Sequence, residues 1–145
     1  MALLGDDGKT WSMPVIGGYV GNITTPHGWG NYNTSHYRWV LPSAGWYELH
    51  ANLRVRVWGT TGFSQFRILR ASDSNAYGGT DNVKMGVEFQ DSGRYNNTQV
   101  HNMWKVYTTG AETFYLQGNS SVNSSGHSIQ SDTNGRPELF WRRIG

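Results

Sequence analysis

The feature that most constrains the fold is a strict two-residue alternation in the stretch GWYELHANLRVRVWG, which runs from Gly45 to Gly59. One set of alternate residues is apolar and comprises Tyr47, Leu49, Ala51, Leu53, Val55 and Val57. The other set is aromatic or polar and comprises Trp46, Glu48, His50, Asn52, Arg54, Arg56 and Trp58. Because successive side chains of a strand point to opposite faces, this period predicts one long β-strand with a single face in a core.

Shorter segments of similar character follow, separated by turns rich in Gly, Asn and Asp. They are FSQFRILRA, VKMGVEF, TQVHNMWKVY, ETFYLQG and PELFWRRIG. The TTGAE turn between the third and fourth predicts a hairpin. No segment sustains a helical period, so about eight to ten short strands in an antiparallel sandwich, jelly roll or barrel are expected. The fold class is therefore all-β.

Composition agrees with strands joined by turns: the chain has 19 Gly, 7 Trp and 8 Tyr, and only 15% of its residues are charged. Its 145 residues suffice for one domain with its own core. The segment MALLGDDGKT has an apolar tip followed by a Gly-Asp-Asp-Gly break. We therefore expect residues 1–10 to form an N-terminal arm and residues 11–145 to form a single domain.

Several classes of partner are disfavoured. A formal charge of +2 with scattered Arg and Lys gives no reason to expect nucleic acid as a partner. No apolar run approaches the roughly 20 residues that a membrane-spanning helix needs.

Two further features are missing from the sequence. The chain has no Cys for a disulfide or a thiolate ligand, and MALLGDDGKTW lacks the long apolar region of a signal peptide.

Motifs for catalysis or metal binding are not found in the sequence. The histidines lie neither two nor four residues apart, and they are predicted to be surface or interface residues; they are His27, His36, His50, His101 and His127. There is no GxSxG sequence, and most acidic residues fall in predicted turns. We expect no enzymatic activity, no catalytic residue, no metal site and no cofactor.

Three segments resemble a known family. LPSAGWYELHANLRV, YTTGAETFYLQGNSS and PELFWRRIG are similar to strands of the jelly-roll family that includes the heads of complement's first component and tumour necrosis factor. The closing RIG and the wealth of Asn, Gly and Trp resemble versions found in tailed bacteriophages, where such domains serve as capsid decoration (cement) proteins or tail-fibre tips. The resemblance covers roughly residues 40–145 as a pattern, and it implies three copies packed around a threefold axis.

The resemblance and the chemistry of the polar row together predict which residues meet other molecules. Aromatic residues supply contact area, and Arg, Asn and His supply directional hydrogen bonds. The expected trimer interface is Trp46, His50, Asn52, Arg54, Arg56 and Trp58. A major capsid protein is the expected partner of the arm, through Ala2, Leu3, Leu4, Lys9 and Trp11. The protein is then made in the host cytoplasm and located on the capsid surface of the virion.

Two alternatives remain open. One is the receptor-binding tip of a tail fibre, in which loop aromatics stack on a bacterial surface glycan. The expected contacts in that case are Trp29, Tyr32, His36 and Tyr37. The other is a free-standing lectin or enzyme. The start at Met1, with no shaft-like segment ahead of the domain, favours decoration over a fibre tip.

Overall fold

The computed structural model of the chain describes residues 2–4, 10–12, 20–22, 30–31, 37–58, 62–89, 95–120, 128–129 and 137–145. Side chains are described within 37–55, 65–79, 82–84, 98–118 and 137–145. These residues form β-strands and one short 3-10 helix, Gly79–Asn82, and no α-helix occurs among them. The all-β prediction is confirmed.

The described strands number thirteen, and every pair that they form is antiparallel. Their bounds are β1 Ala2–Leu4, β2 Thr10–Ser12, β3 Val20–Asn22, β4 Gly30–Asn31, β5 Arg38–Leu41, β6 Gly45–Trp58, β7 Gly62–Arg70, β8 Asn75–Ala76, β9 Lys84–Phe89, β10 Tyr95–Thr108, β11 Glu112–Ser120, β12 Ser128–Ile129 and β13 Glu138–Arg143.

Two sheets contain all of these strands. The first has the order β1-β2-β13-β6-β12-β3, and β10 pairs along the whole length of β6. The second has the order β4-β11-β7-β8, with β5 also paired to β11 and β9 to β7. The long strand predicted from alternation, β6, therefore lies in the middle of the first sheet. The closing strand β13 lies between β2 and β6, in the interior of the same sheet.

Strand pairs are nested in the sequence. The outermost pair, β2 with β13, encloses the pair β5 with β11. That pair encloses β6 with β10, which in turn encloses β7 with β9. From the outermost pair to the innermost, successive pairs alternate between the first sheet and the second.

The core lies between the sheets and is built from alternate residues of their strands. On β6 the inner set is fully buried, as the alternation predicts for Tyr47, Leu49, Ala51, Leu53 and Val55. The second sheet contributes Trp39, Leu41, Phe66, Ile68, Phe114 and Leu116. Burial of apolar area is the main stabilising term at such positions, worth about 1.5–3 kcal/mol for each large side chain.

Trp39 connects the two sheets. Its indole nitrogen donates to the carbonyl oxygens of His50 and Phe140, both at 3.1 Å. These two residues are register partners on β6 and β13, whereas Trp39 belongs to the opposite sheet. Its ring meets Trp104 edge to face at 5.8 Å, and Trp104 donates to the carbonyl oxygen of Asn82 at 2.7 Å. The two buried indoles therefore satisfy their polar atoms inside the core.

The predicted hairpin at TTGAE is wrong. Strand β10 pairs with β6 in the first sheet, whereas β11 pairs with β5 and β7 in the second. The turn at 109–111 carries the chain across the edge of the sandwich. Turn chemistry fixes where a strand ends, but it does not determine which strand the next segment pairs with.

The N-terminal segment contributes backbone to the first sheet. Ala2–Leu4 pairs with Thr10–Ser12, and the second of these strands contacts β13 through the pair Ser12 and Trp141. The part of the predicted arm that the structure describes is thus a strand at the end of the sheet order. None of the described residues belongs to a helix long and apolar enough to cross a lipid bilayer.

Candidate functional site

The outward side of β6, β10 and β13 brings aromatic, charged and imidazole side chains together on one surface. Register pairing extends the alternation of β6 to both neighbours, so that partners of outward residues also face outward. We call this surface the outer face. Its described members are Trp46, Glu48, His50, Asn52, Arg54, Gln99, His101, Met103, Lys105, Tyr107, Glu138, Phe140 and Arg142.

The predicted interface row falls on this face as far as its side chains are described. Trp46 is 49% exposed, and three further members are partly buried, namely His50, Asn52 and Arg54. Arg56 and Trp58 belong to the same strand, but their side chains lie outside the described residues. That these residues meet another subunit stays a prediction.

An exposed aromatic pair occupies one end of the outer face. Trp46 and Tyr107 are register partners, and their rings lie 5.3 Å apart with a tilt of 52°. Tyr107 is 45% exposed, close to the value for Trp46. Since large aromatic side chains usually bury most of their area, this pair presents unusual apolar surface to its surroundings.

Next to the aromatic pair lies a partly buried charge network. The Glu48 carboxylate accepts from the Arg142 guanidinium at 2.9 Å, and the same oxygen lies 3.4 Å from Nε2 of His50. The Glu48 side chain is only 15% exposed. Its charge is thus compensated by a neighbouring cation and by a ring nitrogen, as a partly buried carboxylate requires.

His50 is held between aromatic and polar neighbours. Its ring stacks on Phe140 with a centroid distance of 4.6 Å and an angle of 4°. Burial lowers the pKa of His50 because it penalises the charged ring, and His101 lowers it further, while the hydrogen bond to Glu48 opposes the shift. The neutral imidazole is therefore the favoured form of His50 at neutral pH.

The two histidines of the outer face are in contact. Nδ1 of His50 lies 3.2 Å from Nε2 of His101, and the other nitrogen of His101 is hydrogen-bonded to Oδ1 of Asn52. Spacing along the chain does not reveal this pair, because the two residues are 51 positions apart. The signal is the register of β6 and β10, which places His101 opposite Asn52 and therefore diagonal to His50.

Of the four predicted glycan contacts, only Tyr37 belongs to the described residues. Tyr37 is fully buried, and burial raises the pKa of its hydroxyl. Its ring belongs to the core and cannot stack on a sugar, so that its assignment as a glycan contact is wrong. Trp29, Tyr32 and His36 lie outside the described residues.

The predicted capsid-binding arm is described only in part. The backbones of Ala2, Leu3 and Leu4 form β1, and Leu3 pairs with Trp11 of β2. Side chains of this segment and the whole of Lys9 are outside the description. Its role as an arm stays a prediction.

Among the described side chains, no three His, Cys, Asp or Glu residues converge on one point where they could hold a metal ion. A cluster of titratable side chains does occur on the outer face, and it comprises Glu48, His50, His101 and Arg142.

Comparison of the sequence with models of known protein families and with curated proteins gives no match.

Proposed function

We propose that the chain is a non-enzymatic structural protein of a tailed bacteriophage, a homotrimer of jelly-roll domains that decorates the outside of the capsid. The observation that carries the proposal is the outer face itself. A half-exposed aromatic pair there adjoins an ordered set of charged and hydrogen-bonding groups. Jelly-roll topology, trimerisation and capsid binding are separate parts of the proposal, and each has its own support.

Support for the jelly roll comes from the strand order. A jelly roll is a double sheet of eight strands that forms two Greek keys. Eight strands of the chain form four nested pairs, divided as β2-β13-β6-β10 in one sheet and β5-β11-β7-β9 in the other. Of the remaining described strands, β1 pairs with β2 and β3 pairs with β12. The other three, β12, β4 and β8, pair with β6, β11 and β7 at positions beyond those paired with β13, β5 and β9.

Support for self-association comes from the chemistry of the outer face. Protein interfaces are enriched in Trp, Tyr and Arg, and their strongest contacts are aromatic or Arg side chains surrounded by polar groups. Trp46 and Tyr107 have that character, with Arg54 on the same face. Contacts made by their own chain leave about half of each ring accessible to a second copy.

Support for capsid decoration is the resemblance of the closing RIG and of the wealth of Asn, Gly and Trp to jelly-roll domains of tailed bacteriophages. The proposed partner is the major capsid protein, contacted by the N-terminal segment. Strand β1 stands at the end of the first sheet's order, and an edge strand offers backbone groups that can pair with another chain. A protein that binds only assembled shells stabilises them by an amount set by its concentration relative to its dissociation constant.

The test compares the full chain with a variant that lacks residues 1–10, using tailed-phage shells stripped of their decoration proteins. The full chain should sediment with the shells and raise their melting temperature. The deletion variant should remain in the supernatant while keeping its β-sheet circular dichroism. Equal retention of the two proteins would remove the arm from the proposal. Failure of the full chain to bind any shell would contradict capsid decoration.

A further inference from the structure

The contact between the two histidines of the outer face has an unusual arrangement of donors and acceptors. Asn52 presents its carbonyl oxygen to Nδ1 of His101, and a carbonyl oxygen can only accept. With the Asn52 amide in this orientation, His101 carries its proton on Nδ1, which leaves a lone pair on Nε2. His50 likewise turns Nε2 toward the Glu48 carboxylate, which is also an acceptor.

These outer hydrogen bonds leave the two facing nitrogens without a proton between them. Nδ1 of His50 and Nε2 of His101 then meet at 3.2 Å with a lone pair on each. Two acceptors at this distance repel unless a cation lies between them. With both outer bonds intact, the arrangement is complementary to a small cation that both nitrogens can share.

The separation of the two nitrogens fits a transition-metal ion. Zinc–imidazole bonds are 2.0–2.1 Å long, and tetrahedral geometry then places two bound nitrogens about 3.3 Å apart. In known sites, the second ring nitrogen of a metal-bound His donates to a carboxylate or a carbonyl, which fixes the tautomer and orients the ring. Glu48 and Asn52 occupy these two positions here.

We propose that His50 and His101 form a two-histidine site for a divalent transition-metal ion of the zinc class. Both ligands belong to one chain, so the site does not depend on self-association. In the single chain, before any association through the outer face, His101 is exposed, which gives the ion a path from solvent and lets water complete its coordination. Stacking on Phe140 holds the His50 ring in place. Imidazole ligands favour Zn²⁺, Cu²⁺ and Ni²⁺ over Mg²⁺ and Ca²⁺, which prefer oxygen.

The experiment is calorimetric titration of the metal-free full chain with ZnCl₂, with MgCl₂ as the comparison ion. Wild type should bind Zn²⁺ at this site and give no corresponding signal with Mg²⁺. His50→Gln and His101→Gln should each weaken zinc binding at least about tenfold. The matched control replaces the three remaining histidines, His27, His36 and His127, with Gln and should leave the affinity of the site unchanged.

Asn52→Asp provides a test that does not rely on loss of binding. A carboxylate is a stronger acceptor for Nδ1–H of His101 and should tighten zinc binding several-fold. Wild type that binds Zn²⁺ no more tightly than the His50→Gln/His101→Gln double variant would overturn the site. In that case the histidines share an ordinary N–H···N hydrogen bond and the Asn52 amide is turned to donate. The mass of the species in the calorimeter cell is measured separately, so that a change in zinc affinity can be distinguished from a change in trimer formation.

Discussion

At the scale of single residues, Trp39 illustrates how a large polar aromatic can be fully buried at low cost. One indole N–H is shared between the carbonyl oxygens of His50 and Phe140, which lie on neighbouring strands of the opposite sheet. The ring fills the space beside Trp104 in the core. Trp39 therefore contributes both packing and a directional bond that fixes one sheet relative to the other.

Trp39→Phe should lower the free energy of unfolding by about 2–3 kcal/mol, because it removes the donor and leaves part of the indole volume empty. Urea denaturation followed by circular dichroism measures the change. Val40→Ala is the matched control, since Val40 is the next residue on the same strand and is 53% exposed. That variant should change stability by less than about 0.5 kcal/mol. Losses of the same size in both variants would contradict the role given to the buried indole.

At the scale of elements, backbone hydrogen bonds next to Gly45 connect the start of β6 to the segment that follows β13. The backbone nitrogen of Trp46 donates to the carbonyl oxygen of Gly145 at 3.0 Å, and that of Ile144 donates to Trp46 at 2.8 Å. Gly45 has a φ of +147°, and a Cβ there would lie 2.6 Å from the Gly145 oxygen. Only glycine permits this approach without displacing the closing segment.

Gly45→Ala should therefore cost about 1–3 kcal/mol of folding free energy and loosen the pairing of the closing segment. Hydrogen exchange at the Trp46 and Ile144 amides reports the local effect, and urea denaturation reports the total. Gly110→Ala serves as the control, because a Cβ at Gly110 would meet no atom within 4 Å. Unchanged protection of both amides in the Gly45 variant would show that the close approach is not required.

Alternation along single strands predicts the structure well. The inner set of β6 is buried from Tyr47 to Val55, and Phe66 and Ile68 share the core as their spacing indicates. The sequence does not reveal the partner of each strand, because register arises from packing between distant segments. The wrong hairpin at TTGAE and the missed contact of His50 with His101 have this same cause.

Aromatic content is a weaker guide to exposure than strand alternation. Tyr37 stands beside a Gly- and Asn-rich segment that suggests a loop, yet it is fully buried next to β5. Trp46 lies within a strong strand pattern and remains half exposed. Polar neighbours in the sequence do not determine burial, because an aromatic ring is buried only where it packs against the opposite sheet.

At the scale of the whole molecule, the proposal rests on one sheet face that presents aromatic, charged and imidazole groups together. The other large exposed apolar side chain among the described residues is Val40, which belongs to the second sheet. The two sheets therefore differ in the surface that they offer to a second copy. Association through the first sheet should depend on Trp46 and be insensitive to Val40.

Trp46→Ser should weaken the proposed trimer by at least about tenfold, because Trp is among the side chains that contribute most to the energy of protein interfaces. Sedimentation velocity over a range of concentrations measures the change in association. Val40→Ser is the control, since it removes an equally exposed apolar side chain from the opposite sheet. A larger effect from Val40→Ser than from Trp46→Ser would move the interface to the second sheet.

The most direct test of the central claim is the mass of the purified chain in solution, measured by light scattering on a sizing column. The proposal predicts a species of three times 16.3 kDa that persists on dilution to micromolar concentration. A single species of 16.3 kDa at all concentrations would contradict the threefold assembly and remove the outer face as its interface.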